Sequence, residues 1–261
     1  KDLNKPFRLG VLCMNHEGYH SLSVLLTKAF LTNNDAARGL VDPKWFDDGG
    51  SEGLIALSGA AQGELGSLLL GKKWALAHEA AERFKAQFPG RFYVELQRAG
   101  RPTDELATAR LANFAVDEKL PVVATHPIQF LKPEDFEAHE VRCSIAEGYT
   151  LQDPRRVKRY TPEQYLKSEA EMCELFADIP AAIENTVEIA KRCNLDGVLS
   201  KPQLPLFPTP DGMSLDDYID QLSKEGLQKR LEFLYPDPKV LEERRPPYDK
   251  RLEYELGIIK G

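Results

Sequence analysis

Arg91-Phe92-Tyr93-Val94-Glu95-Leu96-Gln97 is a short run rich in aromatic and branched residues. After a helical stretch from Asp104 to Lys119 comes a second such run, Pro121-Val122-Val123-Ala124-Thr125. Strand-type runs separated by helical spacing mark βα units around a largely parallel sheet. The same pattern extends towards the N-terminus. Arg8–Cys13 and Leu54–Ser58 read as strands, whereas Ser21–Leu31 and Lys72–Phe88 place apolar residues at helical spacing, as in Trp74, Ala77, Ala81 and Phe84. The expected class is therefore α/β, and this pattern suits a barrel and an open sheet equally.

From Pro133 onward the strand signal almost vanishes. Helices are predicted over Pro133–Glu147, Pro162–Ala177 and Pro180–Asn194, each opening on a proline, which loses no hydrogen bond in a first helical turn. Ser200–Pro210 holds four prolines in eleven residues and reads as a connector. Beyond it, Ser214 and the acids Asp216 and Asp217 predict a helix start running to about Leu234, and a second helix is expected after a break at Pro246-Pro247.

With 42% hydrophobic and 29% charged residues among 261, the chain can bury a core, which excludes collagen-like, low-complexity and wholly disordered classes. Its 34 basic and 41 acidic side chains leave a net charge of −7, which argues against a broad basic face for nucleic acid. No run is apolar enough for a membrane span, and the polar start is no signal peptide. Cys13, Cys143, Cys173 and Cys193 form no CxxC pair and are expected to be reduced, buried thiols of a cytoplasmic protein. The missing initiator Met, and an end in mid-helix pattern, read as a fragment cut at both ends.

Several residues carry candidate chemistry. His16-Glu17-Gly18-Tyr19-His20 matches H-E-x-x-H, but Asn15 and Gly18 suggest a loop turning into a helix, and no third ligand follows at a recognisable spacing. His126 follows a strand, where α/β enzymes place their chemistry, although Pro127, Ile128 and Gln129 supply no acid–base partner. Asp135, His139 and Glu140 could share a helix face, yet first-turn acids are better explained by the helix dipole. Arg155, Arg156, Lys158 and Arg159 could contact phosphate or nucleic acid, against the plainer reading of a solvated loop. No G-x-S-x-G, G-x-G-x-x-G or P-loop pattern occurs.

Several runs in order carry a resemblance: Gly18-Tyr19-His20-Ser21-Leu22, Glu52–Gly59, Arg91–Gln97, Leu120–Thr125, Asp135–Glu140, Glu171–Pro180, Ala182–Asn194 and Leu204–Pro210. Together they resemble the N-terminal region of the C-family bacterial replicative DNA polymerases, the DNA polymerase III alpha subunits of proteobacterial type. The resemblance implies that 1–198 is the later part of a polymerase and histidinol phosphatase (PHP) domain, a distorted seven-stranded β/α barrel. It further implies a proline-rich connector over 199–212 and the helical start of the palm over 213–261. The opening strands would lie upstream, and the palm aspartates that bind catalytic magnesium would lie downstream.

Some members of that family hold metals in this barrel. By the same resemblance, four of the ligand positions correspond to Arg8, Ala60, Pro127 and Gln129. A permanent cation, two side chains without donors and a neutral amide cannot replace the original ligands. The implied role is a metal-free scaffold that supports the palm and docks the proofreading exonuclease subunit among other replicase subunits, with DNA held by the rest of the parent. The rival is a metal-dependent phosphoesterase or 3′–5′ exonuclease that recruits other ligands, such as His126 and His139.

Overall fold

In the computed structural model, the described residues are 6–35, 38–47, 49–197, 205–210 and 212–261. The chain divides into two compact units, Lys1–Val198 and Leu199–Gly261.

The first unit opens with β1 (Gly10–Cys13), α1 (His16–Thr32) and a two-residue ribbon of β2 (Asn34–Asp35) and β3 (Arg38–Gly39). Then come β4 (Leu54–Leu57), α2 (Glu64–Leu70), α3 (Trp74–Gln87), β5 (Phe92–Gln97), α4 (Asp104–Asp117) and β6 (Val122–Thr125). The main sheet has the order β1-β4-β5-β6; β4, β5 and β6 run parallel and β1 runs antiparallel to β4. The βα reading of these strands holds, and the fold is α/β. β4 and β5 are buried along nearly their whole length, as expected of parallel strands covered on both faces. Their core joins Leu54, Ala56, Phe92, Val94 and Leu96 to α2, α3 and α4, with Phe84 stacked on Phe92 at 4.6 Å between ring centroids. Because β1 is reversed, its first residues lie beside the C-terminal end of β4, as the pairing of Gly10 with Leu57 shows. Arg8 thereby reaches the strand ends where α/β folds place ligands.

Three local readings need correction. α1 begins at His16, not at Ser21, because the Asn15 side chain accepts a hydrogen bond from Gly18 N at 3.0 Å and caps it. Gly18 suits the helix for a tertiary reason: a Cβ there would lie 2.0 Å from Gly53 O. Pro162 starts no helix. Residues 162–168 are irregular, and α6 spans only Glu169–Leu175, capped by a reciprocal Ser168–Glu171 box. The third concerns Pro246 and Pro247, which lie inside a continuous helix described below.

After β6, a single 3₁₀ turn leads into α5 (Phe136–Glu147), and α7 (Pro180–Arg192) returns to the sheet, where Asn185 donates to Val122 O at 2.8 Å. The cysteines are free, as expected, but not buried: Cys173 is exposed and Cys13, Cys143 and Cys193 are half-buried.

The second unit is a helical hairpin of α8 (Leu215–Leu234) and α9 (Pro238–Lys260). Ser214 caps α8 by accepting from Asp217 N at 3.1 Å. α9 passes through Pro246 and Pro247 without a break. Each proline lacks the amide donor for the carbonyl four residues earlier and crowds it, but its φ is helical, and contacts to α8 on both sides hold the register. These are Arg245 Nη1 to Gln228 Oε1 at 2.6 Å and Lys260 Nζ to Asp220 Oδ1 at 2.8 Å. Of the proline-rich connector, 199–204 and 211 lie outside the described residues; 205–210 form no helix or strand. No described helix is long and apolar enough to cross a membrane.

Candidate functional site

The C-terminal ends of β4, β5 and β6 carry a buried polar network in an otherwise apolar core. Glu95 Oε2 accepts from Gly59 N at 3.0 Å, and Oε1 accepts from Gln97 Nε2 at 2.8 Å and from the Thr125 hydroxyl. Ser58 Oγ accepts from Glu95 N at 2.9 Å, so three strands are joined through one carboxylate. Gly59 has φ +79° and passes so close to β1 that a Cβ would lie 2.1 Å from Arg8 O. Only glycine fits both conditions.

Above this network is a pocket of about 410 Å³, lined among others by Arg8, Gln62, Glu95, Gln97, Arg101 and Pro127. Two of the four positions singled out by resemblance, Arg8 and Pro127, meet here. Ala60 is buried at the start of the turn after Gly59, with φ +47°. Gln129 is exposed, and its backbone N–H donates to Gln164 O at 2.8 Å. Glu95, Gln97 and Arg101 were not among the sequence candidates. The available signal was Glu95 itself, a carboxylate inside the apolar run Phe92–Leu96.

Residues 161–166 form a strap over the ends of β5 and β6. Gln164, almost wholly buried, donates from Nε2 to Pro127 O at 2.9 Å and accepts at Oε1 from Thr161 N at 3.1 Å. The Thr161 hydroxyl donates to Ala99 O, and Leu166 N donates to Phe130 O at 3.0 Å. His126 is held by the same strap, its Nε2 donating to Glu163 O at 2.8 Å. Burial pushes the His126 imidazole below its ordinary pKa; the Glu163 carbonyl opposes this, and the charges of Lys167 and Arg101 reinforce it.

His139 lies elsewhere, on α5, buried with its ring edge-on to Tyr160 at 4.6 Å and tilted against Phe130 at 5.5 Å. Burial lowers its pKa too, with Arg142 adding to the effect and Glu140 opposing it. Glu140 pairs with Arg156 at 2.5 Å, and both side chains are almost fully buried. Asp135 caps the turn before α5, accepting from Lys132 N at 3.0 Å. The basic run does not form a free patch. Arg156 is in that buried pair, Arg155 chelates Asp153 and lies over Tyr149, and Arg159 pairs with Glu147 at 3.2 Å. Lys158 is exposed.

His16 and His20 are on the first turns of α1, and His16 Nε2 lies 3.4 Å from Asp196 Oδ1 at the surface. Among the described residues, no three or more His, Cys, Asp or Glu side chains are grouped to hold a metal ion. At the strand ends, the donor set does not fit one. Arg8 is a cation, Ala60 and Pro127 offer no side-chain donor, the Gln129 side chain faces solvent, and both Glu95 oxygens are engaged by protein donors.

Residues 1–99 match the PHP domain family. The chain is 47% identical over 252 residues to the DNA polymerase III subunit alpha of Vibrio cholerae, covering 97% of this chain and 22% of that protein. It is 48% identical over 258 residues to the one from Neisseria meningitidis, covering 98% and 23%, and 47% identical over 253 to the one from Pseudomonas aeruginosa, covering 97% and 22%. The chain thus spans between a fifth and a quarter of the length of these relatives.

Proposed function

We propose, from a chain related to the DNA polymerase III alpha subunits along nearly all of its length, that it is a piece of such a subunit, whose parent carries out DNA-directed DNA synthesis in chromosomal replication. The observation that carries this is the match at 47–48% identity over 252 to 258 residues. On this reading the first unit is the later part of the distorted PHP barrel, to which the four-stranded sheet contributes, and α8 and α9 begin the palm.

Within that parent, this region acts as a metal-free scaffold. Two observations support this. The strand ends present Arg8 and Pro127 where ligands would be needed, and both oxygens of Glu95 already accept hydrogen bonds, from Gly59, Gln97 and Thr125. The polymerase chemistry, with its magnesium and its grip on DNA, belongs to parts of the parent beyond these residues. The partner proposed for the scaffold is the proofreading exonuclease subunit, and the compartment is the cytoplasm. The rival metal-dependent phosphoesterase or nuclease has no support in the placement of its histidines: His126 is fastened to the strap and His139 is packed between Phe130 and Tyr160.

Two measurements on the purified full-length protein test this. It should extend a primed template with magnesium, and failure to do so would overturn the polymerase assignment. Metal analysis should find no stoichiometric, tightly bound transition metal in this region; finding one that is lost on mutating His126 and His139 would establish the rival.

A further inference from the structure

The four cysteines differ in what surrounds the sulfur. Burial pushes the Cys13 and Cys193 thiols up, which keeps them protonated and slow to react. Cys173 is exposed on α6. Cys143 is half-buried on α5, and its Sγ lies 3.5 Å from His139 Nε2, one turn earlier on the same helix. The other ring nitrogen, Nδ1, lies 3.4 Å from Nη2 of the Arg142 guanidinium. A guanidinium can only donate, so Nδ1 accepts, and the proton of the neutral imidazole sits on Nε2, aimed at the sulfur. The ring is held in that pose, 5% exposed and packed against Phe130 and Tyr160 at 5.5 and 4.6 Å.

We propose that Cys143 is a modification site, a reactive thiol that exchanges with low-molecular-weight disulfides, with His139 as the hydrogen-bond donor to its sulfur. The Nε2–H group meets the negative charge that sulfur takes on as the thiol gives up its proton, and the Arg142 cation on the far side of the ring favours the same charge. In the exchange the Cys143 thiolate attacks one sulfur of the incoming disulfide. A new S–S bond forms as the old one breaks, and the leaving thiolate takes up the proton that Cys143 released, so the disulfide itself is the only oxidant. The site does not depend on the polymerase activity of the parent.

The test incubates the full-length protein with glutathione disulfide at neutral pH and follows mixed-disulfide formation at each cysteine by peptide mass spectrometry. Cys143 is expected to react about fivefold or more faster than Cys173, although it is the less exposed of the two, and Cys13 and Cys193 to react more slowly than either. His139→Phe, which keeps a ring beside Phe130 and Tyr160 but no donor, should slow Cys143 about fivefold or more and leave Cys173 unchanged. His139→Gln, which keeps an N–H donor, should retain part of the rate that His139→Phe loses. Reaction at Cys143 no faster than at Cys173 in the wild type, a comparison that needs no variant, would overturn the proposal, as would an unchanged Cys143 rate in His139→Phe.

Discussion

Arg98 at the end of β5 grips Asp178 in the turn before α7 through two parallel hydrogen bonds, Nη1 to Oδ1 at 2.6 Å and Nη2 to Oδ2 at 2.8 Å. The same guanidinium donates to Leu175 O at 2.6 Å and lies 5.0 Å from the centre of the fully buried Phe176 ring. One side chain thus ties the sheet to α6 and α7, elements 80 residues away in sequence. Arg98 is mostly buried whereas Asp178 is largely exposed, so solvent screens the Coulomb part of the pair and the gain rests mainly on the geometry.

Arg98→Ala should therefore cost about 1–3 kcal/mol in urea denaturation, because it also frees the Leu175 carbonyl and uncovers Phe176. Asp178→Asn should cost less, since the guanidinium keeps Leu175 O. Equal losses in the two variants would show that the ion pair alone carries the effect.

Gly18→Ala tests whether tertiary contact outweighs helix propensity. In an isolated helix alanine gains about 1 kcal/mol over glycine. Here its Cβ would lie 2.0 Å from Gly53 O and 2.6 Å from Gly53 C, and backbone cannot rotate away as a long side chain can. The variant should be destabilised by about 2 kcal/mol or more, judged by overpacking costs in well-packed cores, and its thermal midpoint should fall. A rise in the midpoint would mean that β4 and α1 move apart easily.

What the sequence disclosed follows from how locally each feature is determined. β4, β5 and β6 were legible because strands buried on both faces read as continuous apolar runs. α8 was legible because Ser214, Asp216 and Asp217 act within one turn. The start of α1 was hidden because the fitness of Gly18 for a helix depends on Gly53, far along the chain. Pro162 looked like a helix start because nothing nearby reveals that Gln164 spends its side chain on Pro127 O and Thr161 N. Glu95 was missed for the same reason, its partners Gly59 and Thr125 being 36 and 30 residues away. The run from Arg155 to Arg159 looked basic because Glu140 and Glu147 are contributed by another element, α5.

Glu140 and Arg156 test the cost of a buried charge. Their side chains are 8% and 4% exposed and 2.5 Å apart, so removing one leaves the other charged and dry. Arg156→Met alone should cost about 3–5 kcal/mol, and so should Glu140→Leu alone. The double variant should recover much of that loss, because a hydrophobic pair needs no desolvation. A double-mutant cycle by chemical denaturation checks this; additive losses would mean that the two charges do not depend on each other.

His126 and His139 set the acid side of the stability profile. Burial is the leading cause that holds both imidazoles below their ordinary value of 6.5. Between the depressed folded pKa and 6.5, the unfolded chain therefore binds more protons than the folded one, and stability rises with pH across that window. Seen from neutral pH, stability is complete above about 6.5 and falls as acid protonates first the unfolded histidines and then the folded ones. His126→Gln keeps a donor for Glu163 O but cannot titrate, and His139→Phe keeps a ring against Tyr160 and Phe130. Each variant should flatten part of the decline in unfolding free energy as pH falls from neutral through the range of its depressed imidazole, and the double variant should flatten it most. A decline as steep in the double variant as in the wild type would assign the acid sensitivity to the carboxylates, of which Asp178 is held below its usual range by hydrogen bonds from Arg98.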